Sequence, residues 1–160
     1  MITKTDLIVL AHFRQDARCR LTTLSRKTGI PVSTLFDKLR EYEPNIVPKT
    51  ISLLNFEALG FTTHVNVLIK AGKEERHLRE HLLKHPSVNS LYKVHDGFDF
   101  LAEGVFRHLR ELDNFVQQLK QQFFARSIEV QYLVDDLKRE GFLSDPTLVE
   151  QMLHEPVQAV

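Results

Sequence analysis

Arg18, Arg20, Arg26 and Lys27 crowd one short stretch of the chain, and guanidinium and ammonium groups are the side chains that grip phosphate oxygens. A few positions on come Ser33, Thr34, Asp37 and Arg40. On a helix, steps of three and four put Ser33, Asp37 and Arg40 on one face, with Thr34 at its flank. Arginine can bond guanine, a hydroxyl several base acceptors, and a carboxylate the cytosine amino group. The chemistry these types suggest is recognition of double-stranded DNA, with Arg18, Arg20 and Arg26 holding phosphates while Ser33, Thr34, Asp37 and Arg40 read bases. The plainer reading is a solvated outer face of amphipathic helices, and Asp37, which repels phosphate, leans that way.

Three further groups carry chemistry in principle. His77, His81 and His85 recur every four residues, a spacing that can bring imidazoles to one metal. No nearby carboxylate or thiol completes that shell, so no metal is expected, and the histidines are read as flanking a core stripe on a solvated surface. Cys19 is the single cysteine, read as a small loop residue rather than a redox switch. No disulfide can form within the chain. His95 and Asp99 are read as polar residues at a hairpin end, not as a catalytic pair. No cofactor is expected.

These residues need elements to hold them. Thr5-Asp6 is read as the cap of a first helix carrying Leu7, Leu10 and Ala11, followed by a break at Gln15–Arg20. Thr22–Thr28 suggests a second, stopped by Gly29, and Pro31 opens a third in its first turn. Leu35, Leu39 and Tyr42 form its inward stripe, and Pro44 ends it. Leu24 and Leu35 should pack on the first helix across the glycine turn: a helix-turn-helix. Ile46–Leu54 reads as a linking strand.

The second half alternates. Val65, Val67 and Ile69 mark a strand, Lys73–His85 a helix with Leu78 and Leu82 inward, and Val88–His95 and Phe98–Phe106 two strands joined by Asp96-Gly97, a two-residue hairpin signal. A helix at His108–Phe123 and a strand at Ile128–Val134 complete βαββαβ, a ferredoxin-like α+β domain. Leu68 and Leu101 leave apolar residues on both sheet faces, so a dimer formed by pairing two such faces is expected. A short helix can follow Asp145-Pro146.

Charge divides the same way. Residues 1–50 hold nine Lys/Arg against five Asp/Glu, +4; residues 51–160 hold twelve against sixteen, −4, for a net charge of zero. One half suits a polyanion and the other does not. The apolar run Leu7–Ala11 is too short for a signal-peptide core and nothing approaches a membrane span, so a cytoplasmic protein, nucleoid-associated through its DNA, is expected.

In order and spacing the chain resembles the Lrp/AsnC (feast/famine) transcription regulators. The resemblance rests on Thr5–Leu10, Asp16-Ala17-Arg18, Leu24–Ile30, Ser33-Thr34-Leu35 through Leu39 and Glu43, Leu59-Gly60-Phe61 and Gly97–Leu101, and covers nearly all of 3–136. It implies a winged helix-turn-helix at 1–50, a hinge at 51–60, a ferredoxin-like assembly domain at 61–136 and a tail at 137–160. It also implies assembly with itself, as dimers and often octamers, and an amino-acid effector held between dimers. That would place the effector at Asp96, Gly97, Phe98 and Asp99; the alternative is that Asp96-Gly97 is only a tight turn and Asp99 a solvated strand residue. Two positions depart from the family: Pro31 stands where a serine cap is usual, and Gly97 falls one place late in the hairpin.

Siroheme decarboxylases have a similar architecture. They carry a His-Asn-Tyr and an Asn-Leu-Trp-Phe stretch where this chain has Val94–Phe106, without tryptophan; a non-enzyme is therefore expected. A third alternative is an assembly partner that modulates other regulators and binds DNA weakly. Steep salt dependence of DNA binding would separate it from a direct binder.

Overall fold

A computed structural model describes residues 2–43 and 45–154, which divide into two units: 2–52 with 137–154, and 53–136. In the first, α1 (Lys4–Gln15) is capped by Thr3, not by the expected Thr5-Asp6. The Asp6 N–H donates to the Thr3 hydroxyl and the Thr3 N–H donates to the Asp6 carboxylate, a reciprocal box that satisfies two otherwise orphaned donors. Helix α2 (Leu21–Thr28) ends on Gly29 at φ 72°, left-handed backbone that glycine adopts without Cβ strain. Helix α3 (Val32–Tyr42) follows, with Pro31 at the cap position rather than in the first turn. The expected stop at Pro44 lies outside the described residues. Val9, Leu24, Leu35 and Tyr42 form the buried core, and Leu10, Cys19, Leu39 and Val47 pack around it.

The linking strand expected over Ile46–Leu54 is corrected by the structure: among the described residues this segment makes no ladder, and no wing of paired strands follows α3. Ile51, Leu53 and Leu54 are exposed, so apolar content there reflects neither a core nor a paired edge. Further on, residues 137–154 return to the helical unit. Helix α6 (Pro146–His154) packs on α1 and buries Val149, while Arg14 Nη2 donates to Glu140 Oε2 at 2.6 Å.

The second unit begins with a 3-10 turn (Glu57–Leu59) and continues β1 (Thr63–Lys70), α4 (Glu75–Lys84), β2 (Val88–Lys93), β3 (Phe100–Phe106), α5 (Leu109–Gln122) and β4 (Ser127–Tyr132). The sheet is antiparallel in the order β2-β3-β1-β4, the ferredoxin-like arrangement that βαββαβ implies. Val65, Val67 and Ile69 alternate inward to meet Phe100, Ala102, Leu78, Leu82, Leu112, Phe115 and Leu119 in one core. The alternation carries the register: on β1 the same strand turns His64, Asn66 and Leu68 to the other face.

Asp96-Gly97 sets the hairpin. Lys93 pairs with Phe100, and the Val94 N–H donates to the Asp99 carbonyl at 3.0 Å. Continuing that register leaves Asp96 and Gly97 at the tip, with φ 62° and 99°, the paired positive values of a type I′ turn. Regular strand stops two residues short on the β3 side of the expected Phe98 start because the Asp99 N–H turns to the Ile69 carbonyl instead.

Candidate nucleic-acid interface

On α3, Leu35 and Tyr42 are buried and Leu39 half-buried, whereas Ser33, Thr34, Asp37 and Arg40 are all exposed. Amphipathic geometry thus presents the four expected base-reading side chains as a free polar surface. At the starts of α2 and α3 the cap residues, Arg20 and Pro31, make no side-chain cap hydrogen bond. Arg18, Arg20 and Arg26 are exposed too. Arg26 Nε reaches the Thr22 carbonyl only at 3.4 Å, and the Arg18 backbone is set by the Asp16 carboxylate at 2.9 Å. Phe36 was not among the expected residues. It is 56% exposed on the same helix, and Val32 one turn before it is 39% exposed; a helical wheel centred on Leu35 places both on the flank between core and polar face.

A second feature escaped the sequence reading. Asp6, 6% exposed, accepts hydrogen bonds from the Thr3 hydroxyl at 2.6 Å, the Tyr42 hydroxyl at 2.8 Å and the Lys38 ammonium. Burial alone would raise its pKa, but the bonds from Lys38, Thr3 and Tyr42 outweigh that and hold the carboxyl well below the usual range. Burial and the Asp6 bond together push the Tyr42 phenol far up. The first turn of α1 is thereby fastened to the second half of α3, which fixes how the polar face of α3 is presented. Lys38 is spent on this contact. A carboxylate followed by a lysine and tyrosine four apart was the available signal, hidden because Asp6 also served as a cap residue.

The residues of the expected effector site divide. Asp96 and Gly97 are exposed at the hairpin tip and Phe98 is half-buried. Asp99 is half-buried and its carboxylate is engaged within the protein: it accepts the Ala71 N–H at 2.8 Å and a hydrogen bond from Lys70 Nζ at 3.2 Å. The Ala71 bond chiefly, with Lys70, lowers its pKa against the effect of burial. His81 and His85 also differ from expectation. Instead of lying on a solvated surface, they are half-buried between α4 and α5, with ring centroids 4.5 Å from Phe123 and 4.7 Å from Phe115. Phe115 on α5 and Phe123 just past its end supply those aromatics, so the four-residue repeat reaches the core edge. Only His77 is exposed, bonded to Glu74 at 2.6 Å. Among the described residues no three His, Cys, Asp or Glu side chains converge to hold a metal ion, and no helix is long and apolar enough to cross a membrane.

On the open face of the sheet, His64 Nε2 lies 2.8 Å from Glu103 Oε1 and the Ser90 hydroxyl donates to Glu103 Oε2 at 2.7 Å. Burial raises the Glu103 pKa, but these partners more than offset it and leave the carboxyl below its ordinary value. Leu68 and Leu101 are half-buried and Tyr92 exposed on that face.

No family model matches the chain. It is 25% identical over 118 residues to the HTH-type transcriptional regulator FL11 of Pyrococcus horikoshii, covering 72% of this chain and 78% of that one. Among solved structures it is similar to a transcriptional regulator of Neisseria meningitidis in complex with L-methionine, at TM-score 0.80 and 18% identity over 87% of this chain and 94% of that one. An AsnC family transcriptional regulator from Agrobacterium tumefaciens matches at TM-score 0.77 and 16% identity over 86% and 94%. The chain therefore has the two-domain α+β fold of the Lrp/AsnC regulators, a helix-turn-helix followed by a ferredoxin-like domain, and its sequence is similar to HTH-type transcriptional regulators.

Proposed function

We propose that this chain is a sequence-specific DNA-binding transcription regulator of the Lrp/AsnC type and not an enzyme. The observation that carries the reading is the face of α3: Ser33, Thr34, Asp37 and Arg40 all exposed, opposite a stripe fixed by Leu35 and Tyr42. In this reading α3 enters the major groove, those four side chains meet base edges, and Arg18, Arg20 and Arg26 hold phosphates that set its register. The 1–50 segment is the reading head, 61–136 the assembly domain, and the cytoplasm, on the nucleoid, its place of work. Two copies join through the open sheet face around Leu68, Leu101 and Tyr92, and dimers stack further. A two-fold dimer matches a two-fold operator.

The Neisseria neighbour holds L-methionine, and an amino acid is the effector we propose here, at the hairpin 96–99. Exposed Asp96 and the Gly97 backbone are the groups available to it, with Asp99 acting as the anchor that shapes the loop. The deciding experiment is a genomic DNA selection with the purified full chain at moderate salt, followed by affinity against salt concentration. Selective binding that falls steeply with salt is expected. Recovery of no preferred sequence sinks the reading, and a weak, salt-insensitive association favours a modulator of other regulators.

A further inference from the structure

The helices α1–α3 carry three aromatic side chains: Tyr42 is buried, Phe13 is half-buried, and Phe36 is exposed. Phe36 is also the most exposed large apolar residue on those helices, at 56%, and Val32, four residues earlier on the same flank, is 39% exposed. Single apolar residues at a surface are ordinary. What distinguishes this pair is its neighbourhood. Arg40 lies four residues beyond Phe36 and Ser33 three before it, both exposed, so the ring borders the polar surface that would face base edges. A polar ring of donors and acceptors with an apolar patch at its border matches the chemistry of one base-pair type. Thymine alone places a methyl group in the major groove, and apolar side chains, phenylalanine among them, are what contact it.

We propose that Phe36, backed by Val32, is a specificity-determining residue that reads thymine C5-methyl groups and makes the chain select A·T pairs at defined positions of its site. This rests on the DNA-binding reading above. The exposed Arg40 beside the patch attracts a polyanion, which favours DNA as its occupant.

The test uses the duplex selected by the full wild-type chain, with each thymine replaced in turn by deoxyuridine, which keeps base pairing and removes only the methyl group. At one or two positions per half-site, affinity should fall about fourfold, the worth of one buried methyl-sized group. F36A should bind the thymine and uracil duplexes alike, at the weaker level, while F36L keeps part of the difference; circular dichroism checks that both variants remain folded. No uracil position changing the wild-type affinity overturns the proposal. So does a thymine-to-uracil difference that survives intact in F36A, which would assign the methyl to another side chain. Weakened binding of F36A beside an insensitive wild type would mark Phe36 as a contact between copies, and also overturns it. Should the selection itself return no duplex, the DNA-binding reading has failed at an earlier step, and the two failures are told apart there.

Discussion

The Tyr42 hydroxyl donates to the Asp6 carboxylate at 2.8 Å across thirty-six residues of chain, joining the first turn of α1 to the last turn of α3. With Thr3 and Lys38 on the same carboxylate, all its acceptor sites are served, which is what makes a buried charge tolerable.

Removing one donor and removing the shared acceptor should therefore differ. Tyr42→Phe leaves Asp6 with its other bonds and should cost about 0.5–1.5 kcal/mol. Asp6→Ala strands both the phenol and the Lys38 ammonium and should cost about 2–3 kcal/mol, the lower end for a broken buried pair because Lys38 is partly exposed. Urea unfolding of both variants checks the ratio. The pH dependence follows from the depressed Asp6 carboxyl. An unfolded aspartate takes up its proton near pH 4, about the free value, while the folded one resists. Stability from this site is full above that pH and drains away as pH falls toward the folded value; Asp6→Asn should flatten that acid limb.

His81 and His85 predict a second pH effect, at milder acidity. Burial lowers both pKa values, and for His85 the neighbouring His81 adds to it. The unfolded chain gains these protons near pH 6.5, about the free imidazole value, before the folded chain does, so stability declines as pH drops through and below that point. The buried His81 Nε2 has no hydrogen-bond partner among the described residues, so none of them compensates the charge when it comes. Replacing both imidazoles, as in His81→Phe with His85→Phe, should remove most of the difference in melting temperature between pH 7.5 and pH 5.5. A pair that melts with the wild-type pH slope would place the proton uptake elsewhere.

How legible these features were depended on sequence distance. Leu35, Leu39 and Tyr42 announce α3 by local period, Val65, Val67 and Ile69 announce β1, and Asp96-Gly97 announces its own turn because positive φ at two successive residues is a local demand. Local pattern was silent where a partner arrives from afar. Asp99 reads as a free polar residue until the chain leaving β1 delivers the Ala71 N–H, and His81 reads as surface until the end of α5 lays Phe123 against it. The return of residues 137–154 to α1 has no local signature, since Val149 is buried by a helix more than a hundred residues earlier. Ile46–Leu54 misled in the opposite sense: apolar content suggested a strand, yet no neighbouring strand exists for it to pair with among the described residues.

An amino-acid effector should raise the melting temperature of the full chain by mass action, because it binds only the folded state. A screen of the twenty amino acids at millimolar concentration is expected to return at least one stabilising ligand, and a flat result removes the amino-acid proposal. Asp99→Ala is a poor reporter in this screen. It frees the Ala71 N–H and loses the Lys70 contact, so its melting point without ligand should already fall. Asp96→Asn, which keeps a residue suited to the positive φ of the exposed turn tip and removes only the charge, is the informative variant: its unliganded melting point should change little while the ligand-induced shift shrinks.

The proposed division between base readers and phosphate holders makes Arg40 and Arg18 behave differently. An arginine facing a base edge discriminates among sequences, so Arg40→Ala should weaken the preferred site by about 1–3 kcal/mol and relax the preference at one position. Non-specific DNA should bind it nearly as before. An arginine on a phosphate is blind to sequence. Arg18→Ala should lower affinity for preferred and random duplexes by similar factors, and reduce the slope of log affinity against log salt by about one. Both side chains are exposed and, among the described residues, neither makes an ion pair that its loss would strand, so folding should survive both substitutions and the comparison reads binding alone. Binding titrations at four or five salt concentrations, on the selected duplex and a scrambled one, supply both quantities. If Arg40→Ala lost affinity equally on the two duplexes, the α3 face would be gripping backbone, and the assignment of Ser33, Thr34 and Asp37 to base edges would fall with it.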